Sequence, residues 1–122
     1  MERTTALNLL ERRPAQTSDV TLGNLQLSIA SYQATVGGVA VDFTFQEFEF
    51  LRRLVANPDR IIPFDTLAID LWDHSGHREI RRLNVIAFRL RAKLALSYPY
   101  RLETVRGRGY GLLIDDMRQD AR

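Results

Sequence analysis

Basic side chains are concentrated in one short stretch of this sequence. The segment from Arg78 to Arg108 holds eight arginines and Lys93, against two acidic residues, Glu79 and Glu103. The remainder has eight basic and thirteen acidic residues, so the overall net charge of +2 conceals a local charge of +7. A localised basic surface indicates a polyanionic partner, and nucleic acid, an anionic membrane surface and an acidic protein are the classes to weigh.

Other residues offer little catalytic or metal-binding chemistry. The chain has no cysteine, which excludes disulfides, thiolate zinc sites and cysteine nucleophiles. His74 and His77 have no set of carboxylate or thiol ligands around them, and loop polarity or a phosphate contact explains them better than a metal. Gly107 and Gly109 resemble phosphate-binding glycines, but no helix follows them, so a hairpin is the better interpretation. We expect no enzyme activity, no metal and no cofactor.

The composition indicates one globular domain. The chain has 122 residues, of which 45% are apolar, enough for one compact core with length left for tails. No run of about 18 apolar residues occurs, so no membrane span is expected. The N-terminus has charges on both sides of a very short apolar patch, unlike a signal peptide, and predicts a cytoplasmic protein. We place a flexible tail over 1–19, the domain over 20–116 and a C-terminal tail over 117–122.

Alternating apolar residues near the N-terminus predict a small antiparallel sheet. Three runs with a period of two lie between Leu25 and Phe43, the pattern of half-buried strands. Gly37 and Gly38 separate the last two runs and supply the positive φ angles of a tight hairpin.

Two helices are predicted to follow. Thr44 and Glu47 have the spacing of a capping box, and this helix ends at Asn57 and Pro58. Pro63 suits the start of the next helix. Apolar residues at helical spacing are expected to line the buried side of both helices. They are Phe45, Phe48, Leu51, Leu54 and Val55 on the first, and Phe64, Leu67, Leu71 and Trp72 on the second.

A third helix is predicted from about His77 to Ala95, with two contrasting faces. Four apolar residues lie within about 60° of one another on a wheel of about 100° per residue and are expected to face the core. They are Leu83, Ala87, Leu90 and Leu94. The opposite, basic face presents Arg81, Asn84, Val85, Phe88 and Arg89, flanked by Arg78, Arg82 and Arg91.

A basic hairpin is predicted at the C-terminal end of the domain. Two β-prone runs, Leu102–Arg106 and Tyr110–Ile114, bracket a glycine-containing turn with Arg106 and Arg108 at its tip. A basic helix in the major groove of DNA, with such a tip at the minor groove or the phosphates, is a DNA-reading arrangement. An isolated basic helix is more often an ordinary solvated face, but the hairpin that follows it favours DNA.

The ordered motifs closely resemble the OmpR/PhoB-type effector domain of bacterial response regulators. The resemblance covers about Leu22 to Ile114 and rests on "TFQEFEFLRRLVANPDRIIPFDTLAIDLW", "RRLNVIAFRLRAKL" and "LETVRGRGYGLL". The last stretch contains the family's Thr-Val-Arg-Gly-x-Gly-Tyr wing, the most specific motif. The resemblance implies an α+β winged helix-turn-helix with an N-terminal antiparallel sheet, three helices and a C-terminal β-hairpin wing. It also implies sequence-specific binding of double-stranded DNA in the regulation of transcription.

The resemblance assigns roles to individual positions. Arg91 and Thr104 fall on phosphate-contacting residues of the family, and Arg106 falls on the wing arginine that enters the minor groove. The loop from Asp73 to His77 falls where several activators touch RNA polymerase, although it is short here. The candidate DNA-binding residues are therefore Arg78, Arg81, Arg82, Asn84, Val85, Phe88, Arg89 and Arg91 on the helix, with Thr104, Arg106 and Arg108 on the wing.

Some positions depart from the family's pattern. Phe88 stands where a basic or polar residue is usual, and Ile86 where His is common. Asn84 replaces a frequent Asp, which favours adenine over cytosine in the groove. Three explanations of Phe88 stay open: a thymine methyl contact shared with Val85, packing against the base of the wing, or a partner protein.

The family normally carries a phosphorylated receiver domain ahead of this one, and the 19 N-terminal residues are too few to form it. The chain is therefore either an excised fragment or a stand-alone regulator. RNA polymerase and a second copy of the chain on direct-repeat DNA are further candidate partners. The alternative function is a protein-interaction module that docks polymerase or another regulator through Phe88 and Val85, but docking gives little reason for the basic hairpin.

Overall fold

The N-terminal sheet has four strands rather than three. The computed structural model describes residues 19–114, so both predicted tails lie outside the described residues except Asp19, which opens the first strand. The strands pair as an antiparallel meander in the order β1-β2-β3-β4. They are β1 (Asp19–Leu22), β2 (Leu25–Ser28), β3 (Gln33–Val36) and β4 (Val39–Val41). Strand β1 was not predicted, because it is short and only half-buried on its inner side.

The hairpin between β3 and β4 has the predicted geometry. Val36 pairs with Val39, so only Gly37 and Gly38 form the turn. Their φ angles are +59° and +83°. Two consecutive residues with positive φ match the right-handed twist of the strands, and glycine adopts that conformation without a steric penalty.

Three helices form the centre of the domain. They are α1 (Phe45–Val55), α2 (Phe64–Trp72) and α3 (His77–Lys93). Thr44 caps α1 as predicted, because its hydroxyl accepts from Glu47 N at 3.1 Å while the Glu47 carboxylate accepts from Thr44 N at 2.9 Å. Helix α3 ends at Lys93, two residues before the predicted end.

The predicted stripe of α1 was wrong at its first residue. Phe45 is 67% exposed and stacks on Tyr32 at 5.5 Å between ring centroids. Phe50, which lies outside the predicted stripe, is fully buried and packs edge-on against Tyr110. The helix is covered on more than one side, so a single stripe at helical spacing underestimates its buried surface.

The C-terminal hairpin is part of a three-stranded sheet. Strands β6 (Tyr100–Val105) and β7 (Gly109–Ile114) form the hairpin, and β5 (Ile62–Pro63) adds to the other edge of β7. A Cβ atom at Gly109 would lie 1.9 Å from the Ile62 carbonyl oxygen, so β5 approaches this closely only because residue 109 is glycine.

One core joins the helices and both sheets. It includes Leu25 and Leu27 of the N-terminal sheet, Leu67 of α2, and Leu112 of β7, all 1% exposed or less. The four predicted core residues of α3 are all buried, which confirms the rotation expected for this helix. The face of α3 on the opposite side is therefore open to solvent.

Candidate nucleic-acid interface

The exposed face of α3 is the predicted basic face. Phe88 is 72% and Val85 48% exposed, and every predicted site residue of the helix is exposed. Phe88 therefore does not pack on the base of the wing, and that explanation was wrong. The exposed predicted residues of α3 are Arg78, Arg81, Arg82, Asn84, Val85, Phe88, Arg89 and Arg91.

The tip of the wing adds two more arginines. Arg106, Gly107 and Arg108 form the turn between β6 and β7, and all three are exposed. Arg108 N donates to the Val105 carbonyl at 2.9 Å, which closes the turn. Phe64 N, in the first turn of α2, donates to the Arg108 carbonyl at 3.2 Å. The tip is thus tied to the start of α2 through its backbone. Neither of its two guanidinium groups forms an ion pair with another residue of the range 19–114, which leaves them available to a ligand.

The arginines of this surface have no acidic partner among the described residues. Across residues 19–114, none of them forms an ion pair with an acidic side chain. These arginines are Arg78, Arg81, Arg82, Arg89, Arg91, Arg106 and Arg108. Arg82 packs over the Trp72 ring at 4.6 Å, a cation–π contact that orients the side chain without removing its charge. Unpaired cations on one face create a positive potential that attracts a polyanion.

Two residues predicted to contact phosphates separately are joined in the structure. Arg91 Nη2 donates to Thr104 Oγ1 at 2.5 Å, and Arg91 Nε donates to the Leu102 carbonyl at 3.4 Å. This contact links the last turns of α3 to the first strand of the wing. It holds the Arg91 guanidinium and the Thr104 hydroxyl together as one group of donors.

A second link joins α3 to the wing through Tyr110, which was not predicted as a site residue. Its hydroxyl donates to Asn84 Oδ1, while its ring is 1% exposed and packs edge-on against Phe50 and Phe64. Burial raises the pKa of the Tyr110 hydroxyl, with the charge of Arg91 acting in the opposite direction. The hydroxyl is therefore protonated at neutral pH and acts as a donor to Asn84. The wing motif itself includes this tyrosine, but its partner on α3 is visible only in the fold.

Two further residues, one in α1 and one in the N-terminal sheet, bind α3 and the segment that follows it. Glu47, 2% exposed, accepts from Lys93 in the last turn of α3. Asn24, in the turn between β1 and β2, accepts from Tyr98 N at 2.7 Å and donates to the Leu96 carbonyl at 3.0 Å. The segment from α3 to β6 is therefore attached to the N-terminal sheet. Asn24 and its partners are about 70 positions apart in the sequence, so these contacts could not be predicted from local sequence patterns.

The part of the chain that the structure describes contains neither a group of side chains with metal-binding geometry nor a helix with the hydropathy of a membrane span. No cluster of histidine and carboxylate side chains in residues 19–114 has the makings of a metal site. His74 Nε2 lies 3.9 Å from Glu79 Oε1, and the His74 side chain is exposed to solvent. Within the same residues, no helix is both long and apolar enough to cross a membrane.

Comparison with known proteins gives matches along most of the chain. The family model for "Transcriptional regulatory protein, C terminal" matches residues 38–112. The response regulator protein PmrA of Pseudomonas aeruginosa is 34% identical over 90 residues, which are 74% of this chain and 39% of PmrA. The transcriptional activator protein IrlR of Burkholderia pseudomallei is 33% identical over 107 residues, 86% of this chain and 47% of IrlR. The chain thus spans less than half the length of these relatives.

Solved structures match in fold as well. The DNA-binding domain of RstA from Klebsiella pneumoniae, solved in complex with the RstA box, has a TM-score of 0.69 and 30% identity. The match covers 78% of this chain and 96% of that domain. The C-terminal domain of the nisin resistance regulator NsrR has a TM-score of 0.65 and 27% identity, again covering 78% and 96%.

Proposed function

The chain belongs to the OmpR/PhoB-type family of winged helix-turn-helix domains of transcriptional regulatory proteins, and we propose that it binds specific duplex DNA sequences and so regulates transcription. The observation that supports this most directly is the unneutralised arginine surface that α3 and the wing tip share. Double-stranded DNA is the polyanion whose major groove admits a helix of this size. The proposed role is binding, without a catalytic step and without a cofactor.

We assign α3 to the major groove and the wing tip to the minor groove or the adjacent phosphates. In helix-turn-helix proteins the second helix of the motif lies in the major groove while the first crosses the backbone. Here α3 is the helix proposed for the major groove, and α2 is the helix that would cross the backbone. Arg81, Val85 and Phe88 are proposed to meet base edges, and their exposure along one face of α3 supports this.

The remaining arginines are proposed to bind mainly phosphates. Arg78 and Arg82 lie in the first turns of α3, and Arg89 lies one turn before its end. Arg91 and Thr104 would present one phosphate with donors from both helix and wing, because they are already in contact. Phosphate contacts position the protein on the duplex, whereas base contacts select the sequence. Arg106 is assigned to the minor groove and Arg108 to a neighbouring phosphate.

The proposal is tested by the salt dependence of duplex binding. With about five to eight phosphate contacts, log K should fall with log salt concentration at a slope of roughly −4 to −7. Sites enriched from a random duplex library should bind more tightly than their scrambled versions at the same salt concentration. A flat salt dependence, or no duplex binding at low salt, contradicts the proposal.

Further partners are proposed from the family to which the chain belongs. The relatives IrlR and PmrA are described as a transcriptional activator and a response regulator, and this chain matches less than half of each. Binding of two copies to direct-repeat DNA would appear as a complex with two proteins per duplex in sedimentation experiments.

The exposed residues Asp73 and His74, in the loop between α2 and α3, are the proposed contact for RNA polymerase. Because DNA and RNA polymerase are cytoplasmic in bacteria, we propose a cytoplasmic location for the protein.

A second function is favoured by one observation, the exposure of Phe88 and Val85 beside the arginines. An apolar pair on an open helix face also suits docking of a partner protein. In that case Phe88→Ala weakens capture of the partner but leaves duplex binding unchanged. Loss of duplex binding in the Arg106→Ala variant favours the DNA function instead.

A further inference from the structure

The hydrogen bond between Tyr110 and Asn84 restricts how Asn84 can meet a base. An asparagine amide has a carbonyl oxygen that accepts and an NH2 group that donates, and rotation about the last side-chain bond exchanges them. In the structure the carbonyl oxygen is turned to the Tyr110 hydroxyl. The Tyr110 hydroxyl has no other partner among residues 19–114. Rotation of the amide would therefore leave a buried O–H without an acceptor, which is unfavourable.

The rigidity of Tyr110 makes this restriction effective. Its ring is held between Phe50 and Phe64, with ring centroids 5.3 and 5.2 Å away. The hydroxyl is therefore presented from a fixed position at the wing, whereas Asn84 is exposed on α3. Because the oxygen is turned to Tyr110, oxygen and NH2 group cannot both face one base edge, and the NH2 group is the part of the amide left to a ligand on the exposed side of the helix.

Base edges in the major groove differ in the hydrogen-bond donors and acceptors that they present to such a side chain. Adenine needs both a donor for N7 and an acceptor for its N6 amino group. Guanine and thymine offer acceptors to a donor-only side chain, but thymine alone adds a methyl group. Phe88 follows Asn84 by four residues, so the two lie one above the other on the same face of the helix. A donor beside an exposed apolar ring matches the O4 and methyl of thymine.

We propose that Tyr110 sets the Asn84 amide as a hydrogen-bond donor, so that Asn84 and Phe88 select thymine at one position of the DNA site. The inference rests on the proposed DNA-binding function. It replaces the adenine preference that the asparagine side chain alone suggests. Tyr110 is thus a positioning residue for specificity, reached from the wing, and need not touch DNA itself.

The test uses base analogues that keep Watson–Crick pairing in a site selected from a random duplex library. At each thymine in turn, 4-thiothymine replaces O4 by a weaker sulfur acceptor. At the paired adenine, 7-deazaadenine removes N7. One position should show a loss of wild-type affinity of about three- to tenfold with 4-thiothymine, the range expected for one hydrogen bond, and none with 7-deazaadenine. Sensitivity at that position only to 7-deazaadenine overturns the inference.

Variants then connect this pattern to the two residues. In Tyr110→Phe the amide is free to rotate, so the 4-thiothymine effect should shrink by half or more and sensitivity to 7-deazaadenine should appear. In Asn84→Ala both effects should vanish, which excludes a steric effect of the larger sulfur atom. An unchanged analogue pattern in a folded Tyr110→Phe protein overturns the inference.

A third variant keeps the test decisive if Tyr110→Phe does not fold. Asn84→Asp has no donor, but its carboxylate still accepts from Tyr110, and it should shift the preference at this position from thymine to cytosine, whose N4 amino group donates. A retained thymine preference in Asn84→Asp contradicts the inference. Failure to select any site contradicts the DNA-binding function itself, so the two failures are distinguishable.

Discussion

Lys93 Nζ donates to Glu47 Oε1 at 2.6 Å, joining the last turn of α3 to the first turn of α1. Burial raises the pKa of the Glu47 carboxyl, but the hydrogen bonds from Lys93 and Thr44 and the charges of Lys93 and Arg89 outweigh it, so the net pKa is lowered from its ordinary value of 4.5. The same carboxylate caps α1. One buried anion therefore determines both where α1 begins and how the C-terminal end of α3 lies against it.

This depressed pKa predicts an acid-dependent stability. A carboxyl whose pKa is lower in the folded than in the unfolded protein stabilises the fold above the unfolded value, and that contribution is lost as the pH falls through the folded value. The free energy of unfolding should therefore decrease as the pH is lowered below about 4.5. In Glu47→Gln, urea titrations across that window should show a shallower decrease. An identical pH dependence in the two proteins would show that Glu47 does not contribute.

The partner lysine gives the complementary prediction. Lys93→Met leaves a buried carboxylate without its ion partner and should lower the free energy of unfolding at pH 7 by about 2–3 kcal/mol. This is less than for a fully buried pair, because the Lys93 side chain is 33% exposed. The loss should shrink in acid, where a protonated Glu47 tolerates burial. A variant as stable as the wild type at pH 7 contradicts this account.

Arg106→Ala should weaken duplex binding by about 1–3 kcal/mol and leave the melting temperature nearly unchanged. The reason is that Arg106 is exposed at the wing tip and makes no ion pair with residues 19–114. Arg60→Ala is the matched control, since it removes the same charge from an exposed residue that lies outside α3 and the wing. Equal losses in the two variants, measured by fluorescence anisotropy, would mean that only total charge matters.

Leu90→Ala should have the opposite effect and damage the fold. Leu90 is fully buried, and such truncations typically cost about 2–5 kcal/mol of stability. Leu96→Ala is the control, because Leu96 is 79% exposed and the same change there should cost almost nothing. Thermal unfolding of both variants checks the contrast. A stable Leu90→Ala protein would be incompatible with the packing of α3.

The exposed ring of Phe88 predicts a dependence on the thymine methyl group. Phe88→Ala should keep its melting temperature, because the side chain is 72% exposed. Replacing the contacted thymine by uracil, which lacks only the methyl, should weaken the wild type but hardly affect the variant. Phe45→Ala, which truncates another exposed phenylalanine, should stay sensitive to uracil. Equal sensitivity of wild type and Phe88→Ala would exclude this contact.

Local patterns in the sequence determined most of the architecture. The capping box at Thr44 and Glu47, the two glycines of the β3–β4 turn and the apolar stripe of α3 depend on neighbours within about four residues, where backbone geometry dictates which side chains share a face. The same periodicity identified the arginine face of α3, because burial of one side leaves the other exposed. Charge and turn chemistry likewise located the wing tip.

Only the tertiary structure decided which distant residues meet. The contacts of Tyr110 with Asn84, of Arg91 with Thr104 and of Lys93 with Glu47 join residues 26, 13 and 46 positions apart. No periodicity relates such residues, since their distance is set by how helices and sheets pack around the shared core. The same packing left Phe45 exposed and buried Phe50. Residue types along α3 indicate a surface able to bind DNA, whereas contacts from the wing orient Asn84 and Arg91, and a contact from α2 orients Arg82.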